Sequence, residues 1–206
     1  MSPATWFAFT AASIVLLLIP GPTVLLVVSY ALTQGRRVAV ATAAGVALGD
    51  FTAMTLSLAG LGALLATSAG LFTALKWIGA AYLVYLGIRL WRAEPSLPNV
   101  ADAPVRGSGG IFGHAFVVTA LNPKSIAFFV AFVPQFIDHA RPLLPQLVLM
   151  EATFVALAAA NALAYALAAD QLRLRIRRPS VLRWLNRTGA GLLVGMGVLT
   201  ATLKRT

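Results

Sequence analysis

The stretch that decides the fold is Leu16–Val28, "LLLIPGPTVLLVV". Pro20, Gly21 and Pro22 interrupt a run that otherwise reads as the middle of a membrane helix. A proline inside a helix removes a backbone N–H and clashes with the preceding turn, at about 3 kcal/mol. Irregular backbone at bilayer depth is tolerated only where protein or a water-filled cavity covers it. The break is therefore either a simple kink or one wall of a built site.

The rest of the chain sets that stretch in a membrane. Of 206 residues, 59% are hydrophobic and only 11% charged, and mean hydropathy is +0.85. Soluble domains carry about 25% charged residues, so this is an integral membrane protein with no room for a large soluble domain. Cysteine is absent, which excludes disulfides, thiol catalysis and cysteine-based metal sites. Net charge is +10, but Lys and Arg gather at the ends of apolar runs, where membrane orientation needs them. Nucleic acid is not an expected partner; the lipid bilayer is. No Lys or Arg precedes the first apolar run and no small-residue cleavage pattern closely follows it, so it reads as a retained span rather than a signal peptide.

A spanning helix needs about 20 mainly apolar residues. Six stretches qualify: Ala4–Leu32, Val38–Leu65, Leu71–Leu90, Ile111–Ile137, Leu143–Ala169 and Leu185–Leu203. The first connection holds Arg36 and Arg37, the third Arg92 and Arg106, and the fifth Arg173, Arg175, Arg177 and Arg178. The second, Thr67–Gly70, has no basic residue and the fourth only Arg141. The excess of positive charge on cytoplasmic loops places the odd connections inside and both termini outside, in the periplasm of a bacterial cell. The tail Lys204-Arg205 runs against that orientation. Trp6, Trp77, Trp91 and Trp184 fall near expected helix ends, where amphipathic rings settle at the headgroups. The basic stretch "QLRLRIRRPSVLRW" reads as an orientation signal touching anionic headgroups.

The two halves resemble each other. "KWIGAAYLVYLGIR" in the third span and "NRTGAGLLVGMGVLT" in the sixth share glycines eight apart, Gly79 and Gly87 against Gly189 and Gly197, at an offset of 110. "IPGPTVLL" corresponds to "LNPKSIAFF" at an offset near 102, and Asp50 to Glu151 at 101. Three spans per half is an odd number, so the halves lie in opposite orientations. The expected fold is an all-α integral membrane protein of six helices. It consists of two inverted three-helix repeats (1–92 and 111–206) joined by a linker at 93–110, in a single transmembrane domain, with the first and fourth helices broken. Inverted repeats with interrupted helices at matching positions point to a secondary transporter and its midplane site.

Charges inside the spans are the candidate site. Asp50 lies near the centre of the second span, where a charge costs about 2.5–3.5 kcal/mol. It either fixes helix packing or binds substrate or protons. Lys124 follows "NP" mid-span and either snorkels outward or is a site residue or an ion-pair partner for an acid such as Asp50. Glu151 lies nearer the outer face, and Lys76, close to a helix end, fits snorkelling better than a site. Asn161 reads as interhelical hydrogen bonding or a site residue. His114 and His139, without a ligand cluster, make no metal site. Pro22 and Pro123 suit the first position of a half-helix, where the missing N–H costs nothing. Such an N-terminus presents free amide donors to a carboxylate. Asp50 and Glu151 suit an ammonium. A pocket with both kinds of group fits a zwitterion such as an amino acid. No cofactor is expected. An intramembrane enzyme would want a Ser/His pair, an Asp pair or a His-rich motif inside the spans, and none is there.

At these residues the chain resembles the LysE/RhtB amino-acid exporters. The motifs are "PGPT", "GVALGD", "KWIGAAYLVYLGIRLW", "NPK" and "NRTGAGLLVGMGV", in order across nearly the whole chain. Positions that match family motifs are Pro20, Gly21, Pro22, Gly49, Asp50, Lys76, Gly79, Tyr82, Gly87, Asn122, Pro123 and Lys124. The resemblance implies a bacterial inner-membrane exporter of amino acids or related metabolites, driven by protons, as a homodimer, with alternating access around the breaks at Pro20–Pro22 and Asn122–Lys124. Two other readings stay open: a transporter of a metal cation or organic toxin, and a membrane scaffold that transports nothing.

Overall fold

A computed structural model describes residues 1–67, 69–93, 106–138, 140–176 and 179–202. Most of the expected linker, His139, Arg177, Arg178 and the tail Lys204-Arg205 lie outside the described residues. All regular structure among the described residues is helical.

The first span begins with α1, Pro3–Leu18, whose N-cap Ser2 accepts a hydrogen bond from the Thr5 amide at 3.1 Å. It ends where the prolines dictate. Ile19, ahead of Pro20, is extended at φ −67°, ψ 118°, because a residue before proline is pushed out of the helical region. Gly21, ahead of Pro22, is extended as well. The chain then restarts as α2, Pro22–Gln34, bent by 55° from α1. Gly35 closes α2 with φ +76°, a backbone conformation that only glycine adopts cheaply. One 3₁₀ turn, Arg36–Val38, leads into α3, Ala39–Thr67, which is followed by α4, Ala69–Arg92.

The second half repeats the interruption. Helix α5, Ser108–Ala120, stops at Leu121, and α6, Pro123–Ala127, starts with Pro123 in its first turn. A π-helical turn, Phe128–Phe132, and a 3₁₀ turn, Val133–Phe136, complete this stretch. Helices α7, Leu143–Ile176, and α8, Pro179–Thr202, close the fold. Among the described residues, three stretches are long and apolar enough to cross a membrane (36–62, 108–136 and 143–169), and α1 with α2 makes a fourth if the bent pair is one span. The count of six expected from sequence thus rests on α4 and α8 in addition, helices that carry arginines among their apolar residues.

Small residues set how the helices meet. A Cβ on Gly45 would lie 2.5 Å from the Phe112 carbonyl, and one on Gly49 2.8 Å from the Phe116 carbonyl. Those glycines let α3 and α5 run side by side in the same direction with their backbones almost touching. Gly87 faces the Ala190 carbonyl and Gly197 the Ala80 carbonyl, so α4 and α8 pack antiparallel on glycine faces. Helix α1 runs parallel to α7: Trp6 Nε1 donates to Thr153 Oγ1 at 3.1 Å, and Asn161 Nδ2 donates to the Leu17 carbonyl at 3.2 Å. Phe128, Phe129, Phe132 and Phe154 form a fully buried ring cluster in the centre. It holds the π-helical turn against α7 and so fixes α6.

Candidate functional site

The two breaks meet. Helix α1 ends inside the protein, where the carbonyls of its last turn lack the usual amide donor four residues on; Leu16 keeps one backbone bond, from the Ile19 amide at 3.2 Å. Each is met by a side chain from the other half of the chain. Lys124 Nζ donates to the Leu16 carbonyl at 2.9 Å and the Ile19 carbonyl at 2.8 Å. Asn161 takes Leu17, and the Tyr165 hydroxyl donates to the Leu18 carbonyl at 3.4 Å. The sequence leaves open whether Lys124 snorkels or pairs with an acid. It does neither directly: its side chain is buried and its ammonium caps a helix C-terminus, where a positive charge opposes the helix dipole. Gly21 lies beside that ammonium; a Cβ there would sit 3.4 Å from Nζ, an ordinary contact.

The N-termini at the breaks differ from each other. Asn122 caps α6, its Oδ1 accepting from the Lys124 amide at 3.1 Å, while its Nδ2 donates to Thr23 Oγ1 at 3.1 Å. Thr23 in turn lies 3.3 Å from the Thr119 hydroxyl. One side chain thus ties the second break to the first turn of α2. Helix α2 has Pro22 in its first turn and no side-chain cap, and Thr23 and Val24 of that turn line the cleft. The N-terminus expected as a carboxylate donor at both breaks has no side-chain cap at α2 and is capped by Asn122 at α6.

Asp50, only 2% exposed, closes this space from α3. Ser125 is its hydrogen-bond donor, and Oδ1 is buried with no partner. An unpaired buried carboxylate oxygen is costly, at about 1–3 kcal/mol or more. The cleft is lined by Thr23, Asp50, Asn122, Lys124, Asn161 and Tyr165, with apolar walls from α1, α2, α3 and α7. The cleft and its mouth together hold about 400 Å³ of unfilled space, of which only a small part is wide enough for a water-sized group.

Asp50, Asn122, Lys124 and Asn161 are thus brought together in one cleft. Its lining takes residues that flank the breaks, Leu17 and Thr23 on one side and Asn122 and Lys124 on the other, rather than Pro20, Gly21, Pro22 or Pro123 themselves. Glu151 is elsewhere: it is half-buried on α7 and accepts a hydrogen bond from Thr55 of α3. Lys76 is half-buried on α4, and the Tyr82 ring packs against the core with its centroid 5.8 Å from that of Tyr85. His114 Nδ1 is hydrogen-bonded to the Tyr30 hydroxyl at 2.8 Å. Thr23, Ser125 and Tyr165 belong to the site but carry no signal as isolated residues. Spacing offers one hint: Tyr165 lies four residues after Asn161, on the same helix face. Among the described residues no group of acids and histidines is arranged to hold a metal ion.

Comparison with known proteins agrees with the motifs. Residues 14–204 match the family model for LysE type translocators. A homoserine/homoserine lactone efflux protein of Salmonella typhimurium is 34% identical over 199 residues, covering 97% of each chain. An uncharacterized membrane protein of Vibrio cholerae is 36% identical over 199 residues, again 97% of both. A leucine efflux protein of Salmonella choleraesuis is 35% identical over 138 residues, 66% of this chain and 65% of its own. No solved structure matches. The chain belongs to the LysE family of translocators, membrane transport proteins rather than enzymes.

Proposed function

We propose that the protein is a secondary-active exporter of amino acids or closely related metabolites across the bacterial inner membrane, coupled to protons. In this reading it works by alternating access around the cleft between the two breaks. One observation carries it: a buried carboxylate with a free oxygen stands opposite an uncapped helix N-terminus in one narrow space. Asp50 takes the ammonium of a zwitterion or a proton, and the free amides of α2 take its carboxylate. The relatives named for homoserine and leucine efflux support an amino-acid cargo.

The inverted repeat draws support from reciprocal contacts. Gly87 faces Ala190 while Gly197 faces Ala80, as two segments related by a two-fold axis would. The broken α1–α2 segment lies along α7 as the broken α5–α6 segment lies along α3. With the odd connections cytoplasmic, both termini lie in the periplasm. Alternating access is then a rocking of the halves that opens the cleft first to one side and then to the other.

The test loads cells with dipeptides and follows which amino acids appear outside. Cells producing the protein should excrete at least one amino acid several-fold faster than cells producing the Asp50→Asn form. If no amino acid in a broad panel distinguishes the two, the export reading fails.

A further inference from the structure

We propose that the Leu16 and Ile19 carbonyls, with the free oxygen of Asp50, form a seat for one primary ammonium group. Lys124 is its resident occupant and gives way to the ammonium of the cargo. This rests on the export reading above. The carbonyls come from the end of α1, where neither has the usual amide donor four residues on; Leu16 keeps only a 3.2 Å bond from the Ile19 amide, so both carry partial negative charge at the cleft. An ammonium has three N–H donors. Lys124 uses two of them, on Leu16 at 2.9 Å and Ile19 at 2.8 Å. Asp50 lines the same cleft, close enough for its charge to act on Lys124, yet keeps Oδ1 unpaired. Those donors and acceptors are what a cargo ammonium would also require.

Two further features make Lys124 an exchangeable occupant rather than a fixed cap. The neighbouring carbonyls of Leu17 and Leu18 are held by Asn161 and Tyr165, neutral groups on the long helix α7. Of these four carbonyls, only those of Leu16 and Ile19 are met by a cation at the tip of a flexible stem, Leu16 in addition to the Ile19 amide. The gaps in the cleft are too narrow to seat an amino acid beside the Lys124 side chain. Cargo therefore enters only as the two breaks part, which draws Lys124 off the carbonyls and leaves them for the cargo's own ammonium. When cargo has left, Lys124 returns, and the empty carrier closes without orphaning the Ile19 carbonyl. A carrier lacking the Lys124 ammonium would close only with cargo aboard, and net export would become exchange.

The test uses the full chain in vesicles and an amino acid that the wild-type protein carries. If the wild type moves none, it is the export reading that fails. Given wild-type transport, Lys124→Met should lose net efflux at least tenfold while keeping exchange of labelled against unlabelled amino acid within about threefold. Methylammonium chloride should restore part of the net efflux. Equal loss of both modes in a folded variant, or unimpaired net efflux, overturns the proposal. Should Lys124→Met fail to fold, the wild type itself decides. Methylammonium chloride, which has N–H donors, should compete with cargo several-fold better than tetramethylammonium chloride, which has none. Equal competition overturns the proposal.

Discussion

Lys124 and Ile19 lie 105 positions apart in the chain, yet the ammonium of one is 2.8 Å from the carbonyl of the other. That bond joins the two helix interruptions directly. It converts what looks like damage to the first span into a fitted joint: the prolines free the carbonyls, and the other half of the protein supplies the donors.

The neutral donors in that joint differ in weight. Asn161 bonds the Leu17 carbonyl at 3.2 Å in a half-buried position, while Tyr165 reaches Leu18 at only 3.4 Å. Asn161→Leu strands a carbonyl and should cost about 1–3 kcal/mol. Tyr165→Phe removes a long, weak bond and should cost under about 1 kcal/mol. Thermal unfolding of the purified variants in detergent ranks them; a Tyr165→Phe loss as large as that of Asn161→Leu would show that the hydroxyl matters more than its distance implies.

Asn122 has separable roles. Its oxygen caps α6 and its amide nitrogen holds Thr23. Asn122→Ala loses both and should cost about 1–2 kcal/mol for the cap alone. Asn122→Ser keeps an acceptor suited to the cap but has no donor that reaches as far as the amide. The expected result is stability recovered in the serine variant while export stays as low as in the alanine variant. Recovery of both together would mean that the cap, not the link between the breaks, is what transport needs.

Much of this was readable in advance because proline, glycine and intramembrane charge act locally. Pro22 and Pro123 open helices as their chemistry requires, and Asp50, Asn122 and Lys124 stand out as polar groups in apolar runs. The partner of Lys124 was not readable, since backbone carbonyls look alike in every sequence and only the fold says which are left free. Glu151 is the sequence counterpart of Asp50, but its carboxylate meets Thr55 outside the cleft. Thr23, Ser125 and Tyr165 became part of the site only through the approach of α2, α6 and α7. The π-helical turn at Phe128–Phe132 also has no local signature; its rings are fixed by Phe154 of α7.

The glycines give a sharp contrast in stability. A Cβ at Gly45 or Gly49 would press on the backbone of α5 at 2.5 Å and 2.8 Å, whereas one at Gly113 would meet nothing within 4 Å. Backbone cannot step aside as a side chain does, so Gly45→Ala or Gly49→Ala should cost about 1–3 kcal/mol or more. Gly113→Ala adds a helix-favouring methyl within α5 and should be neutral or stabilising by up to about 1 kcal/mol. Melting temperatures of the three variants, taken in one detergent, check the order.

Asp50 and Glu151 should part company in function. Asp50→Asn keeps the shape of the side chain but leaves the buried Lys124 ammonium without the negative charge near it, so the variant should fold with some loss of stability. It should also lose most export, and the residual flux should no longer rise as the outside is made more acidic, because no carboxylate remains to take a proton there. Glu151→Gln still offers Thr55 an acceptor and should keep both the flux and its acid dependence to within about twofold, a ΔΔG of about 0.4 kcal/mol. The check is amino-acid efflux from vesicles with the inside held at neutral pH and the outside stepped from neutral to acidic. If Glu151→Gln abolishes the acid dependence and Asp50→Asn retains it, the proton belongs to the other carboxylate and the cleft at the helix breaks serves the cargo alone.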